Sequence, residues 1–166
     1  MNERAKNKLL IVLFLLLALI IYMVVTLTTP ASENERRLSE TILSQSPGEI
    51  VSLNELTDFE WDSAYTFAPY TSKKEICKVL GIPVNDCKIA LETVSEAMVQ
   101  MIFTKEQEIV CVLLGYPDKL GYCFDFGNSS YDYLTFHSDE NSEFLIEQPH
   151  ANYLLLRYMP AENKQK

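Results

Sequence analysis

At 166 residues the chain has room for one folded domain with appendages, not for two full cores. Its 14 basic and 23 acidic residues give a net charge of −9, and because Arg4, Lys6, Lys8 and Glu3 all precede a long apolar run, the part beyond that run carries 11 bases against 22 acids, a net of −11. That balance excludes nucleic acid or an anionic surface as partner and favours a cationic or apolar one.

Residues 1–8 form a short basic tail. From Leu9 to Thr29 run twenty-one uncharged residues, LLIVLFLLLALIIYMVVTLTT. As a helix rising about 1.5 Å per residue they would span ~31 Å, the thickness of a bilayer core, so the run predicts a transmembrane helix over 9–29. It exceeds the roughly 7–15 apolar residues of a cleaved signal peptide, and Thr29, Pro30 and Ala31 make a poor cleavage site. No cysteine follows closely, which argues against a lipid-modified anchor. Arg4, Lys6 and Lys8 outnumber Arg36 and Arg37 on the far side, which places the N-terminus in the cytoplasm and the rest of the chain outside it. All four cysteines lie in that outer part, where an oxidising compartment can pair them.

Beyond the run, Ser32 and Glu35 have the spacing of a capping box, with Leu38 and Ile42 on one helical face, so residues 30–48 predict an amphipathic helix or stalk. Ser46, Pro47 and Gly48 end it, and EIVSL opens a domain over 49–160. Phe59, Trp61, Tyr65 and Phe67 share odd parity, the signature of a strand with one aromatic face, broken by Pro69. Ser72 and Glu75 then repeat the capping box, Ile76, Val79 and Leu80 form an apolar face, and Gly81 and Pro83 stop the helix. AMVQMIFT, EIVCVLLGY and YCFDF read as successive antiparallel strands, the continuous apolar run Ile109–Leu114 belonging at a sheet centre. YDYLTF, EFLIE and NYLLLRY follow as further strands, KIALETVSE fits either a strand or a short helix, and residues 161–166 form a disordered tail. The expected fold class is α+β: an N-terminal transmembrane helix, then an antiparallel sheet of five to seven strands with one short helix packed on it.

The segment WDSAYTFAPYTS, with Glu75, Ile76 and the hairpin VSEAMVQMIF … IVCVLLGYP … FDF after it, resembles small membrane-anchored or lipoprotein-like proteins of bacteria, of Gram-positive type. The resemblance covers roughly Glu49 to Phe126, and its most specific part is WDxxYxFxPYTS. It implies an envelope location and carries no activity and no functional residue.

No catalytic signature stands out. His137 and His150 have no partner at ligand spacing, so no metal site is expected, and no cofactor. Asp125–Phe126–Gly127 spells DFG without the glycine-rich loop, lysine or catalytic loop of a kinase. Glu60 and Asp62 fall two apart on one strand face, as a glycosidase pair might, but two acids on an acidic surface are usually just solvated. Asn128–Ser130 is formally a glycosylation sequon. Among the cysteines, a Cys77–Cys87 bridge would close a loop of about ten residues and contribute roughly 3 kcal/mol. Cys111 with Cys123, Cys77 with Cys111, and four buried thiols acting as small apolar groups remain alternatives.

Trp61, Asp62, Tyr65 and Tyr70 are the candidate binding residues. One reading puts the aromatics in the core, each contributing about 1.5–3 kcal/mol on burial, with Asp62 exposed or capping a turn. The other leaves Trp61 or Tyr70 reachable beside Asp62 as a binding edge. The expected function is a non-enzymatic, membrane-anchored module outside the cytoplasm, of the inhibitor or immunity type or part of an envelope complex, with a cationic or apolar protein partner. The alternative is an envelope hydrolase using acids such as Asp62 and Asp125, which requires both in one cleft.

Overall fold

The computed structural model describes residues 10–18, 29–87, 92–127 and 131–160. Residues 10–18 are helical with exposed apolar side chains. Among the described residues no helix is long and apolar enough to cross a membrane. The single transmembrane helix expected over Leu9–Thr29 is therefore not supported; Leu9 and residues 19–28 fall outside the described residues, as do the two tails, residues 88–91 of the ambiguous segment and the sequon at 128–130.

The helices of the domain are α1 (Pro30–Leu43), α2 (Leu53–Leu56), α3 (Lys73–Leu80) and α4 (Pro117–Leu120). In place of one antiparallel sheet of five to seven strands there are two sheets of four. The first runs β1 (Ile50–Ser52), β7 (Glu143–His150), β8 (Tyr153–Met159), β5 (Tyr122–Asp125). The second runs β4 (Glu108–Gly115), β3 (Val99–Lys105), β2 (Ser63–Phe67), β6 (Tyr133–His137). Every pairing is antiparallel except β5 with β8, where Tyr122 stands beside Leu154 and Asp125 beside Arg157 in parallel.

The expected antiparallel pairing of β4 with YCFDF fails at Pro117. Instead of a hairpin turn, α4 makes one helical turn closed by Gly121 at φ 80°, and the chain emerges in the other sheet. The crossing is tight: a Cβ on Gly115 would stand 3.2 Å from Leu120 Cγ, and one on Gly121 would meet Leu43 Cδ2 at 2.9 Å. Alternating hydrophobicity reports that a strand has a buried face but not which sheet owns it, because both sheets share one core.

That core joins Met101, Phe103 and Leu113 of the second sheet, Tyr122, Phe144, Ile146 and Leu156 of the first, and Leu38 and Ile42 of α1. The helix expected as a stalk outside the domain is thus part of its core, and the folded unit includes Pro30 onward. Its cap also differs from the expected one. Thr29 Oγ1 accepts from the Ser32 N–H at 3.2 Å and Ser32 Oγ accepts from the Thr29 N–H at 3.1 Å, so the helix starts one turn early. Pro30 permits this, since at the first helical position its missing N–H costs nothing.

The polar side of α1 completes a sheet edge. The β3–β4 register shifts between Phe103 and Thr104, leaving Val110 unopposed, and Asn34 Nδ2 donates to its carbonyl at 2.9 Å. A half-buried bulge carbonyl that the ladder leaves unpaired is thereby satisfied.

At the next residue, burial raises the Glu35 carboxyl above its ordinary value of 4.5. Glu35 in turn adds its charge to the burial that pushes the Cys111 thiol up to about 12. A carboxyl whose folded pKa is raised favours folding below pH 4.5, and that contribution is lost as pH rises through the folded pKa. Glu35→Gln is therefore expected to raise the Tm at about pH 7 while leaving it nearly unchanged at about pH 4, in paired calorimetric scans. An equal shift at both pH values would show that the effect is packing and not ionisation.

On the outer face of the second sheet, α3 covers a smaller cluster of Phe67, Ile76, Cys77, Leu80, Cys87, Ile102 and Val112. Here the predicted signals operate as read: Ser72 and Glu75 form the capping box, and Gly81 closes the helix at φ 70°. The domain is layered, with α3 on one sheet, that sheet on the other, and α1 closing the main core from the β4 side.

Candidate binding groove

The aromatic row does not lie on one face. Regular strand begins only at Ser63, so the parity shared by Trp61, Tyr65 and Phe67 is interrupted between the first and the others. Trp61 turns into the main core, 6% exposed, its ring edge-on to Phe103 at 5.4 Å, and its Nε1 donates to Thr57 Oγ1 at 2.9 Å. Phe67 points to the opposite side, into the cluster under α3, with the half-buried Tyr65 stacked beside it at 6.3 Å. Of the four candidate binding residues, Trp61 is thus a core group.

Asp62 is a turn fastener. Its Oδ2 accepts from the Glu106 N–H at 2.7 Å, its own N–H donates to the Thr104 carbonyl, and its carbonyl accepts from Ser138. Glu106 and Gln107, at φ 50° and 67°, form the two-residue β3–β4 turn, of the left-handed type that matches strand twist. Beside it Lys105 pairs with Glu60, which keeps the Glu60 carboxyl below its ordinary range. The four groups form an exposed ion cluster around a hairpin, not a cleft.

Tyr70 is displayed. Thr71 N–H donates to the Ala68 carbonyl, so Ala68–Thr71 is a tight turn with Pro69 second and Tyr70 third, at φ 66°. That position normally demands glycine, and a bulky residue there costs of order 1–3 kcal/mol. The side chain is nonetheless 64% exposed and gains no burial in return.

Next to this turn, between α3 and the edge strand β6, lies a groove of about 550 Å³. Its floor is Phe67 and its walls include Thr71, Glu75, Val79, Asp132 and Tyr133. Phe67 and Tyr133 stand opposite each other in the β2–β6 register, their rings 5.8 Å apart. The Glu75 carboxylate accepts from the Ser72 hydroxyl at 2.7 Å and from its N–H at 3.1 Å, and these bonds hold it below its ordinary pKa. It is therefore charged throughout the neutral range. With Asp132 opposite and Lys78 the one base in the lining, the groove is an apolar, aromatic floor between acidic walls.

Asp62 and Asp125, the acids a hydrolase would need together, lie apart, Asp62 just before β2 of the second sheet and Asp125 at the end of β5 in the first. Asp125 is engaged with Arg157 at 2.6 Å, which also bonds Glu147 at 2.8 Å across β8 and β7, and its other oxygen accepts from the Gly127 N–H. His137 is exposed and within 3.1 Å of Ser63 Oγ through Nδ1, a cross-strand polar pair. Among the described residues no group of three or more His, Cys, Asp or Glu could hold a metal ion.

Cys77 and Cys87 are bonded, their Cα atoms 6.6 Å apart. Cys111 and Cys123 are free, so neither the Cys111–Cys123 nor the Cys77–Cys111 pairing occurs. Cys111 is buried in the core, and burial also pushes Cys123 up to about 11, so both are thiols at neutral pH.

Comparison with protein-family models, curated proteins and solved structures found no match to this chain. Sequence reasoning reached Tyr65, Phe67, Tyr70 and the Glu75 cap around the groove but missed Asp132, Tyr133, Lys78 and Val79 as a wall. The available signal was the alternation in YDYLTF, which places Tyr133 and Thr135 on one face but does not say that β6 pairs with β2.

Proposed function

We propose that the chain is a non-enzymatic binding module outside the cytoplasm, associated with the cell membrane through its uncharged run Leu9–Thr29, which captures a protein segment at the groove between α3 and β6. The observation that carries this reading is the groove itself: an aromatic floor between the Glu75 and Asp132 walls on a chain with 22 acids and 11 bases beyond the apolar run. An apolar floor gives a partner side chain somewhere to bury, and acidic walls steer a basic segment to it. The Cys77–Cys87 bridge supports an oxidising compartment. A hydrolase reading lacks support because Asp62 and Asp125 each serve a separate structural bond. An inhibitor, an immunity-type protein or a subunit of an envelope complex would each use such a surface.

Chemical crosslinking of the full-length protein in intact cells, read by mass spectrometry, tests this. Crosslinks to one partner through Lys73, Lys74 or Lys78, lost in Glu75→Lys, are expected. Crosslinks confined to Lys119 or Lys105, indifferent to Glu75→Lys, would place the binding surface elsewhere and reject the groove.

A further inference from the structure

Resting on the groove as the binding site, the geometry points to the way the partner is held: we infer that a basic segment of the partner, in extended conformation, adds as a fifth strand to the free edge of β6, with one of its side chains in the groove.

The backbone of β6 is arranged for this. The Ala68 N–H donates to the Asp132 carbonyl and the Ser138 N–H donates to the Asp62 carbonyl, so those opposite pairs are the hydrogen-bonded ones. Between them the antiparallel ladder alternates. Leu134 and Phe136 therefore turn their backbone groups toward β2, while Tyr133 and Thr135 turn theirs away from it. No bond from the outward N–H and C=O of Tyr133 or Thr135 is found among the described residues.

The other three edges are shielded. β4 is bulged at Val110, with α1 bonded to it through Asn34. β1 is three residues long behind Pro47 and Gly48, and β5 is four residues long. β6 has an unbroken five-residue register and no proline, glycine, lysine or bulge, the devices by which exposed edges are normally protected from pairing. A regular edge without them is a template for strand addition, in which main-chain bonds supply affinity and pockets for alternate side chains supply selectivity.

Charge selects the occupant. Exposed acids flank the strand at both ends, Asp132 before it and Asp139 and Glu140 after it, and Glu75 stands across the groove. The matching segment alternates apolar and basic side chains: apolar ones over Tyr133 and Phe67, basic ones toward the flanking acids.

The test uses full-length protein in detergent and two probes, a short acetylated peptide of alternating lysine and valine and the same peptide with alternate backbone nitrogens methylated. Methylation deletes one edge of donors and keeps the side chains. Isothermal titration is expected to show binding of the first peptide and at least a tenfold weaker affinity for the second. Thr135→Pro, which removes an outward N–H without touching the β2 ladder, should weaken the first peptide by a similar factor while circular dichroism stays native. If that variant does not fold, the comparison of the two peptides decides alone. Equal binding of both peptides, lost in Glu75→Gln, would keep the groove and overturn strand addition. Absence of binding by both at about 1 mM would also overturn strand addition, while the crosslinking experiment still decides the groove.

Discussion

Trp61→Ala is expected to cost about 3–5 kcal/mol, the range for emptying a buried aromatic site, and Phe67→Ala a similar amount. Against a typical domain stability of about 5–15 kcal/mol, either change removes a large share. The two losses come from different places. Trp61 is 6% exposed against Phe103 in the core between the sheets, and its alanine variant also loses the indole N–H bond to Thr57 Oγ1, whose hydroxyl still donates to the Leu53 carbonyl. Phe67 is 4% exposed under α3, on the other side of the second sheet. Residues without shared partners usually combine additively, so the double variant should lose the sum of the two to within about 0.5 kcal/mol. Asp62 gives the contrast: Asp62→Ala forfeits one exposed bond to the Glu106 N–H and should cost only about 1 kcal/mol, and Asp62→Asn, which can still accept, less. Urea denaturation of the five variants checks this. An unchanged midpoint for Trp61→Ala, with loss of partner capture, would make the indole a recognition group and overturn its structural role.

The features that sequence made legible are those governed by neighbours along the chain. Ser72, Glu75 and Gly81 bound α3 because a capping box and a left-handed glycine act within a turn or two. AMVQMIFT and EIVCVLLGY pair as neighbouring antiparallel strands, β3 and β4, because so short a connection leaves no freedom of partner. What escaped is what depends on distant partners. The pattern of YCFDF is identical whether it pairs beside β4 or crosses through α4 to lie parallel to β8. Leu38 and Ile42 mark one apolar face of α1 equally well on a stalk or in a core. The row Phe59, Trp61, Tyr65, Phe67 misled because parity presumes an unbroken strand, and the strand starts at Ser63. The groove shared this fate: its floor is local, but Tyr133 and Asp132 reach it only through the β2–β6 pairing across more than sixty residues.

Removing the Cys77–Cys87 bridge is expected to cost about 3 kcal/mol, since it closes a loop of ten residues and spares the folded chain that much ordering entropy. The double variant Cys77→Ala with Cys87→Ala should lose this amount in urea denaturation, and reduction of the native protein should reproduce it. The effect should also be local. Both cysteines are buried in the small cluster under α3, and the intervening turn is held by the Ile82 N–H to the Cys77 carbonyl and the Asp86 N–H to the Pro83 carbonyl. The main core contains neither sulfur, so amide exchange should rise in α3 and in residues 81–87 before it rises in β7 or β8. Because Glu75, Lys78 and Val79 on α3 form one wall of the groove, the reduced protein should bind its partner more weakly even where most of it remains folded. Alkylation after unfolding without reductant should modify Cys111 and Cys123 only. Modification of all four would show the bridge absent from the native protein and remove the support it gives to an oxidising location. Loss of the bridge with full retention of binding would separate the groove from α3 and leave β6 as the binding element by itself.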